Sequence, residues 1–293
     1  MDMQSDLQVL GASNGDKGDS SFYKIQDPIG YALLLGCSAH SAGQNHPTGF
    51  GSPPSVREDL AMMENTLKMM NWGVYSPCLD ETGAAELTGN SCEQIVNNLE
   101  REVLEKHSCF MLYYSGYGVA NGIMGTNGKV VPYRDIVNKI GHLDVIAGKP
   151  KIFIFDCHRY DDPKALNNLQ NHGDMSYSQQ LEEHLRQDRL VDSYPPPDCI
   201  LCYSACEGTE PTVGSFFTTE LCRSLQQFGQ KLPFVEIITL VNRGTANVLG
   251  SVFELGQRPF YCSTLTRNLV LSGEFSVCVS VDLCGCFCPF MMY

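Results

Sequence analysis

Apolar residues in this chain come either in short unbroken runs or in spaced stripes, and the two kinds alternate. The runs are Tyr31-Ala32-Leu33-Leu34-Leu35-Gly36, Cys109-Phe110-Met111-Leu112-Tyr113-Tyr114, Ile152-Phe153-Ile154-Phe155-Asp156 and Cys199-Ile200-Leu201-Cys202-Tyr203. Short apolar runs of this kind predict strands covered on both faces. Trp72 to Tyr75 reads as a shorter strand. The stripes predict helices with one buried face. Leu60, Met63, Leu67 and Met70 mark the first, and Ile95, Leu99 and Val103 the second. Phe217, Leu221, Leu225 and Phe228 mark another, followed by one through Phe234, Ile237, Ile238, Val241 and Val248. Residues 133–140 predict a short helix between two strands.

Punctuation supports these elements. Ser55-Val56-Arg57-Glu58 and Ser91-Cys92-Glu93-Gln94 read as capping boxes, in which Ser caps and the residue three later reaches back. Gly125-Thr126-Asn127-Gly128 is a turn signal. The stretch 260–271, from Phe260 to Leu271, reads as a terminal strand. Strands alternating with helices predict an α/β fold with a largely parallel sheet. Two segments depart from the pattern. Residues 1–22 are rich in Gly, Ser and Asp and read as disordered. Residues 161–198 are polar and end in Pro195-Pro196-Pro197, which predicts an exposed linker of unusual length.

Composition narrows the function. At 43% hydrophobic and 18% charged residues, the 293-residue chain can bury a sizeable core. A formal net charge of -13 disfavours nucleic acid and anionic membranes as partners. No stretch is apolar for long enough to span a membrane, and the polar start is no signal peptide. The 14 cysteines follow no zinc-finger spacing, so they are expected as reduced thiols in a cytoplasmic protein. Cys199 and Cys202 are better explained by one strand than by a metal motif.

The run 152–156 leads into a polar cluster, Asp156-Cys157-His158-Arg159. In open α/β sheets chemistry sits at the carboxyl ends of strands. Asp156 and His158 share a strand face and would make two metal ligands. No third ligand is apparent, and no metal or other cofactor is expected.

Six segments in this order resemble the caspases, the aspartate-directed cysteine peptidases of apoptosis. They are Gly30-Tyr31-Ala32-Leu33-Leu34, Lys106-His107-Ser108-Cys109-Phe110, Gly125-Thr126-Asn127-Gly128, Gly148-Lys149-Pro150-Lys151-Ile152-Phe153, Gly214-Ser215-Phe216-Phe217 and Val241-Asn242-Arg243. The resemblance implies a three-layer sandwich, with a mostly parallel, twisted sheet between helices. It divides the chain into a large-subunit region at 23–160, the linker at 161–198, a small-subunit region at 199–271 and a divergent tail at 272–293. It also implies that the terminal strand pairs with a partner's equivalent, in a homodimer or a heterodimer with an active caspase.

Carried over residue by residue, the family's chemistry is missing. Counted from Lys149, the nucleophile's place falls on His158, with Cys157 one position early. The general base falls on Gly116 or Tyr117, neither of which accepts a thiol proton near neutral pH. The first pocket arginine becomes Pro53, and the second vanishes in a shortened stretch that carries Glu210. The pocket glutamine becomes Asp156. By analogy with linkers cut after aspartate, Asp192 and Asp174 are candidate cleavage points. The expected function is a catalytically inactive homologue that regulates active caspases, and so apoptosis, by heterodimerising or by competing for adaptors. The alternative is an active cysteine endopeptidase with a rearranged site that uses Cys157. On an unbroken strand Cys157 turns to the face opposite its neighbours, which favours the first reading.

Overall fold

Strand β1, Gly30–Cys37, is buried almost throughout and founds the sheet. The computed structural model describes residues 21–37, 56–77, 89–116, 118–119, 121–125, 130–157, 195–205, 216–250 and 259–272. The elements named here are those of the described residues. Helix α1, Val56–Met69, lays Val56, Leu60, Met63 and Leu67 against β1. Strand β2, Gly73–Tyr75, then pairs parallel with β1. Helices α2, Gly89–Asn97, and α3, Arg101–Lys106, lead into β3, Cys109–Gly116. A small antiparallel sheet follows, of β4 (Gly118–Val119), β5 (Gly122–Met124) and β6 (Val130–Pro132). Helix α4, Tyr133–Gly141, returns the chain to β7, Lys151–Cys157. Strand β8, Cys199–Tyr203, helices α5 (Phe216–Phe228) and α6 (Phe234–Gly250), and β9, Phe260–Ser263, complete the series.

The main sheet has the order β2-β1-β3-β7-β8-β9. Every pair is parallel except β8 with β9. Helices α1, α5 and α6 pack on one face, with α4 and α2 on the other, which makes the three layers. Alternation along the strands assigns each side chain to a layer. Tyr113, Ser115 and Asp156 turn toward α1 and α5. Phe155 and Cys157 turn toward Tyr133 of α4.

The segment Gly148-Lys149-Pro150-Lys151 has a structural explanation. Gly148 adopts φ 71°, which releases the chain from the turn before β7. The Lys149 ammonium donates to Leu104 O, Glu105 O and His107 O at 3.1, 2.7 and 2.8 Å. It thus caps the carbonyl end of α3, where a cation is favoured. Lys151 is buried, and its ammonium donates to Lys149 O at 2.8 Å. Lys149→Met keeps the apolar stem and removes the cap. We expect it to cost about 1–2 kcal/mol, the usual worth of hydrogen bonds to a charged, partly exposed group, as read by urea unfolding.

Several sequence expectations need correction. The stripe through Ile95, Leu99 and Val103 is not one helix. Helix α2 begins at Gly89, before Ser91, so Ser91 lies inside it rather than at its cap. The chain leaves helical geometry after Asn97, at a pair of asparagines, a residue of weak helix preference, and resumes in α3. Val96, Leu99 and Leu104 are the buried residues of this region, while Ile95 and Val103 are only partly covered.

The terminal strand stops at Ser263 rather than running to Leu271. The Thr264 hydroxyl takes the Cys199 N–H at 3.1 Å and donates to Pro196 O, which turns the chain off the sheet. Leu269 to Leu271 then pack in the core, bonded to Phe234 N and Gly229 O.

Both polar segments are ordered at their inner ends. Phe22 bridges Asn268, and Tyr23 donates to Asp198 at 2.6 Å, so residues 22 and 23 belong to the fold. Pro196 is buried, and the Asp198 N–H bonds Thr264 O, so residues 195–198 belong to the fold rather than the linker. Ser55 of the first capping box, turn residues 126–128, the bulk of the linker with Asp174 and Asp192, and the tail after 272 lie outside the described residues. No described helix is long and apolar enough to cross a membrane.

Candidate functional site

The ends of three strands meet at one level. Cys37 of β1 pairs with Gly116 of β3, and Gly116 with Cys157 of β7. This is the carboxyl edge of a parallel sheet, where such folds place ligands and chemistry. It is also where the sequence puts the family's base and nucleophile.

Cys157 is 1% exposed. Its Sγ lies 3.1 Å from the Tyr133 hydroxyl, which also donates to Val119 O at 3.2 Å. Phenol and thiol can each serve as donor or acceptor in this contact. A phenol is no base for a thiol near neutral pH, whereas a nucleophilic cysteine must be a thiolate beside a base.

Gly116 has no room for a side chain. Its φ of 151° is a region other residues rarely adopt. A Cβ there would sit 2.7 Å from Cys37 O and 2.9 Å from the Tyr114 hydroxyl. Of the two candidate base positions, Gly116 is therefore a backbone position. Tyr117 lies outside the described residues, as do His158, Pro53 and Glu210.

Asp156 faces the opposite layer from Cys157, and its carboxyl is buried. Thr218, in the first turn of α5, donates to Asp156 Oδ2 at 2.6 Å. Ser204, buried just beyond β8, also faces the carboxyl and acts on it. Because the Thr218 proton goes to Asp156, the Tyr113 hydroxyl 2.5 Å away must donate to Thr218. On the same face Ser115 donates to Asp59 of α1 at 2.9 Å. Burial pushes the Asp156 carboxyl up from its ordinary range, partly opposed by the Thr218 and Ser204 hydroxyls. Burial, and then the nearby Asp156 and Asp59, push the Tyr113 phenol well up.

The sequence reading missed Asp59, Thr218, Tyr113 and Tyr133 as parts of this region. A signal for two of them existed. Asp59 falls on the helical period of Val56, Leu60 and Met63, and Thr218 falls between Phe217 and Leu221. A polar residue on a core stripe must find a partner inside.

Comparison with known proteins fits this architecture. A caspase domain model matches residues 29–270. Caspase-6 of Bos taurus is 29% identical over 185 residues, which cover 56% of this chain and 60% of the relative. Caspase-6 of Gallus gallus is 31% identical over 143 residues, covering 42% and 44%. Caspase-3 of Mesocricetus auratus is 22% identical over 277 residues, covering 89% and 91%. The chain thus spans about 60% of the bovine caspase-6 that it matches, and nearly the whole of the hamster caspase-3. With the sheet, its layers and a domain match running from the start of the first strand to the last buried turn, the chain belongs to the caspase family.

Proposed function

We propose that this chain is a catalytically inactive caspase homologue that regulates active caspases, and through them apoptosis, by heterodimerising with them or competing for their adaptors. By sequence count, His158 takes the place of the nucleophile, Pro53 and Asp156 take those of the pocket's arginine and glutamine, and no histidine occurs between Leu112 and Gly128 to serve as base. The observation that carries the reading is the state of Cys157. The one cysteine near the nucleophile's place is sealed on the α4 side of the sheet, and its Sγ meets the Tyr133 phenol at 3.1 Å rather than a base. A fold can persist after its chemistry is gone, because activity resides in the site. The division into 23–160 and 199–271, joined by a linker open to cutting at Asp192 or Asp174, belongs to the same proposal, as does a cytoplasmic location.

Labelling with a thiol-reactive peptide ketone tests it. The folded protein is expected to leave Cys157 unmodified on the timescale that labels an active caspase, and to modify it once denatured. Selective labelling of Cys157 in the folded chain, abolished by replacing a single histidine, would establish the rearranged endopeptidase instead.

A further inference from the structure

The carboxyl edge of the sheet holds two buried acids. Asp156 ends the α1/α5 face of β7, and Asp59 lies beneath it on α1. Ser115, the bonded partner of Asp59, is the register neighbour of Asp156. The groups that meet Asp156 are hydroxyls: Thr218 from α5, backed by Tyr113 from β3, and Ser204 from beyond β8. The titratable neighbours on the packed elements are Tyr113 of β3, Asp59 of α1 and Cys222 of α5. Burial pushes the Cys222 thiol up to about 11, so it adds no charge near neutral pH. No cation appears among the described groups that act on Asp156.

A buried carboxylate without a cation is costly, and a second acid nearby makes it costlier. A neutral carboxyl suits the same cage. It accepts from Thr218, and its own proton can go to Ser204, since a hydroxyl serves as donor or acceptor. We infer that Asp156 is a proton-operated catch, a neutral acid that ties the end of β7 to the first turn of α5 through Thr218, and that loosens when it ionises. The inference stands apart from the proposed function, because it holds whether or not the chain cuts peptides.

The direction of the pH effect follows from linkage. Burial raises Asp156 in the folded state above its unfolded value of about 4. The stability it contributes is therefore whole below about pH 4 and is lost as the pH rises through the folded value. One proton changes the folding equilibrium constant by up to tenfold per pH unit within that window.

Unfolding in urea from pH 4 to 8 tests this on the full chain and on Asp156→Asn, which keeps shape without charge. The wild-type is expected to lose stability as the pH rises above about 4, relative to the variant. The variant is expected to lack that component and to be the more stable of the two at pH 7. A variant less stable than wild-type at pH 7 with an unchanged slope overturns the inference. The 13C carboxyl resonance of Asp156 in the unsubstituted chain reads the same proton without any variant. A resonance that titrates below pH 4 also overturns it.

Discussion

A histidine placed at Gly116 will destabilise the domain severely rather than rebuild a catalytic base. Gly116 closes β3 between Cys37 and Cys157, at φ 151°. Any Cβ there meets Cys37 O at 2.7 Å and Cys37 N at 3.1 Å, both backbone atoms of a buried central strand. Neither can retreat without shifting β1 against its helix. Backbone strain of this kind costs about 1–3 kcal/mol, and overpacking a core a similar amount. Gly116→His should therefore lose about 3 kcal/mol or more, a large part of a domain's usual margin. Gly116→Ala carries the same Cβ and should lose most of the same amount, although alanine adds no bulk beyond it. Urea midpoints of the two variants measure this. An alanine variant within about 1 kcal/mol of wild-type would mean that β3 ends differently, and would restore Gly116 as a candidate base position.

The same residue marks where sequence reasoning reaches its limit. The runs at 31–36, 109–114, 152–156 and 199–203 are strands to within one or two residues at each end. Their apolarity is dictated by burial on both faces, so it leaves a mark in sequence that needs no knowledge of partners. The stripes of α1, α5 and α6 are legible for the same reason. Period alone cannot place the break between α2 and α3. That break falls at two asparagines of weak helix preference, between the buried Val96 and Leu104. Nor can it end β9 at Ser263, because the apolar residues Leu269 to Leu271 read as strand but are buried in irregular chain bonded to Phe234 N and Gly229 O.

In the site, the alternation of side chains along β7 is enough to put Asp156 and Cys157 on opposite faces. It does not say what meets them. Tyr133 and Cys157 are 24 residues apart, and Asp156 and Thr218 are 62 apart. Hydrogen bonds of that span are set by topology, unlike the local side-chain-to-backbone bonds that a short pattern can encode. Gly116 reads as an ordinary glycine in a glycine-rich stretch until its φ and its neighbours are known.

Proline at Tyr261 should weaken association with a partner while leaving the chain folded. In the sheet order β9 is an edge strand, and no described strand pairs its outer side. The ladder fixes which residues look outward. Thr264 donates to Cys199 O, so Cys262 and Phe260, two and four residues earlier, turn their backbone groups toward β8. Bonded and non-bonded pairs alternate in an antiparallel ladder, so Tyr261 and Ser263 offer their N–H and C=O groups to the outside. Such an edge is a template for a second strand, as the proposed pairing requires. Tyr261→Pro deletes one outward N–H and no bond to β8, and proline is tolerated on edge strands in this orientation. Cys262→Pro deletes an inward one and should cost about 1–3 kcal/mol of stability. Sedimentation of the chain alone and mixed with an active caspase, together with urea unfolding, separates the effects. Tyr261→Pro is expected to weaken pairing about tenfold or more, at a stability within about 1 kcal/mol of wild-type. If that variant pairs as well as the wild-type, the contact lies elsewhere, and regulation by pairing through β9 is wrong even though the fold is right.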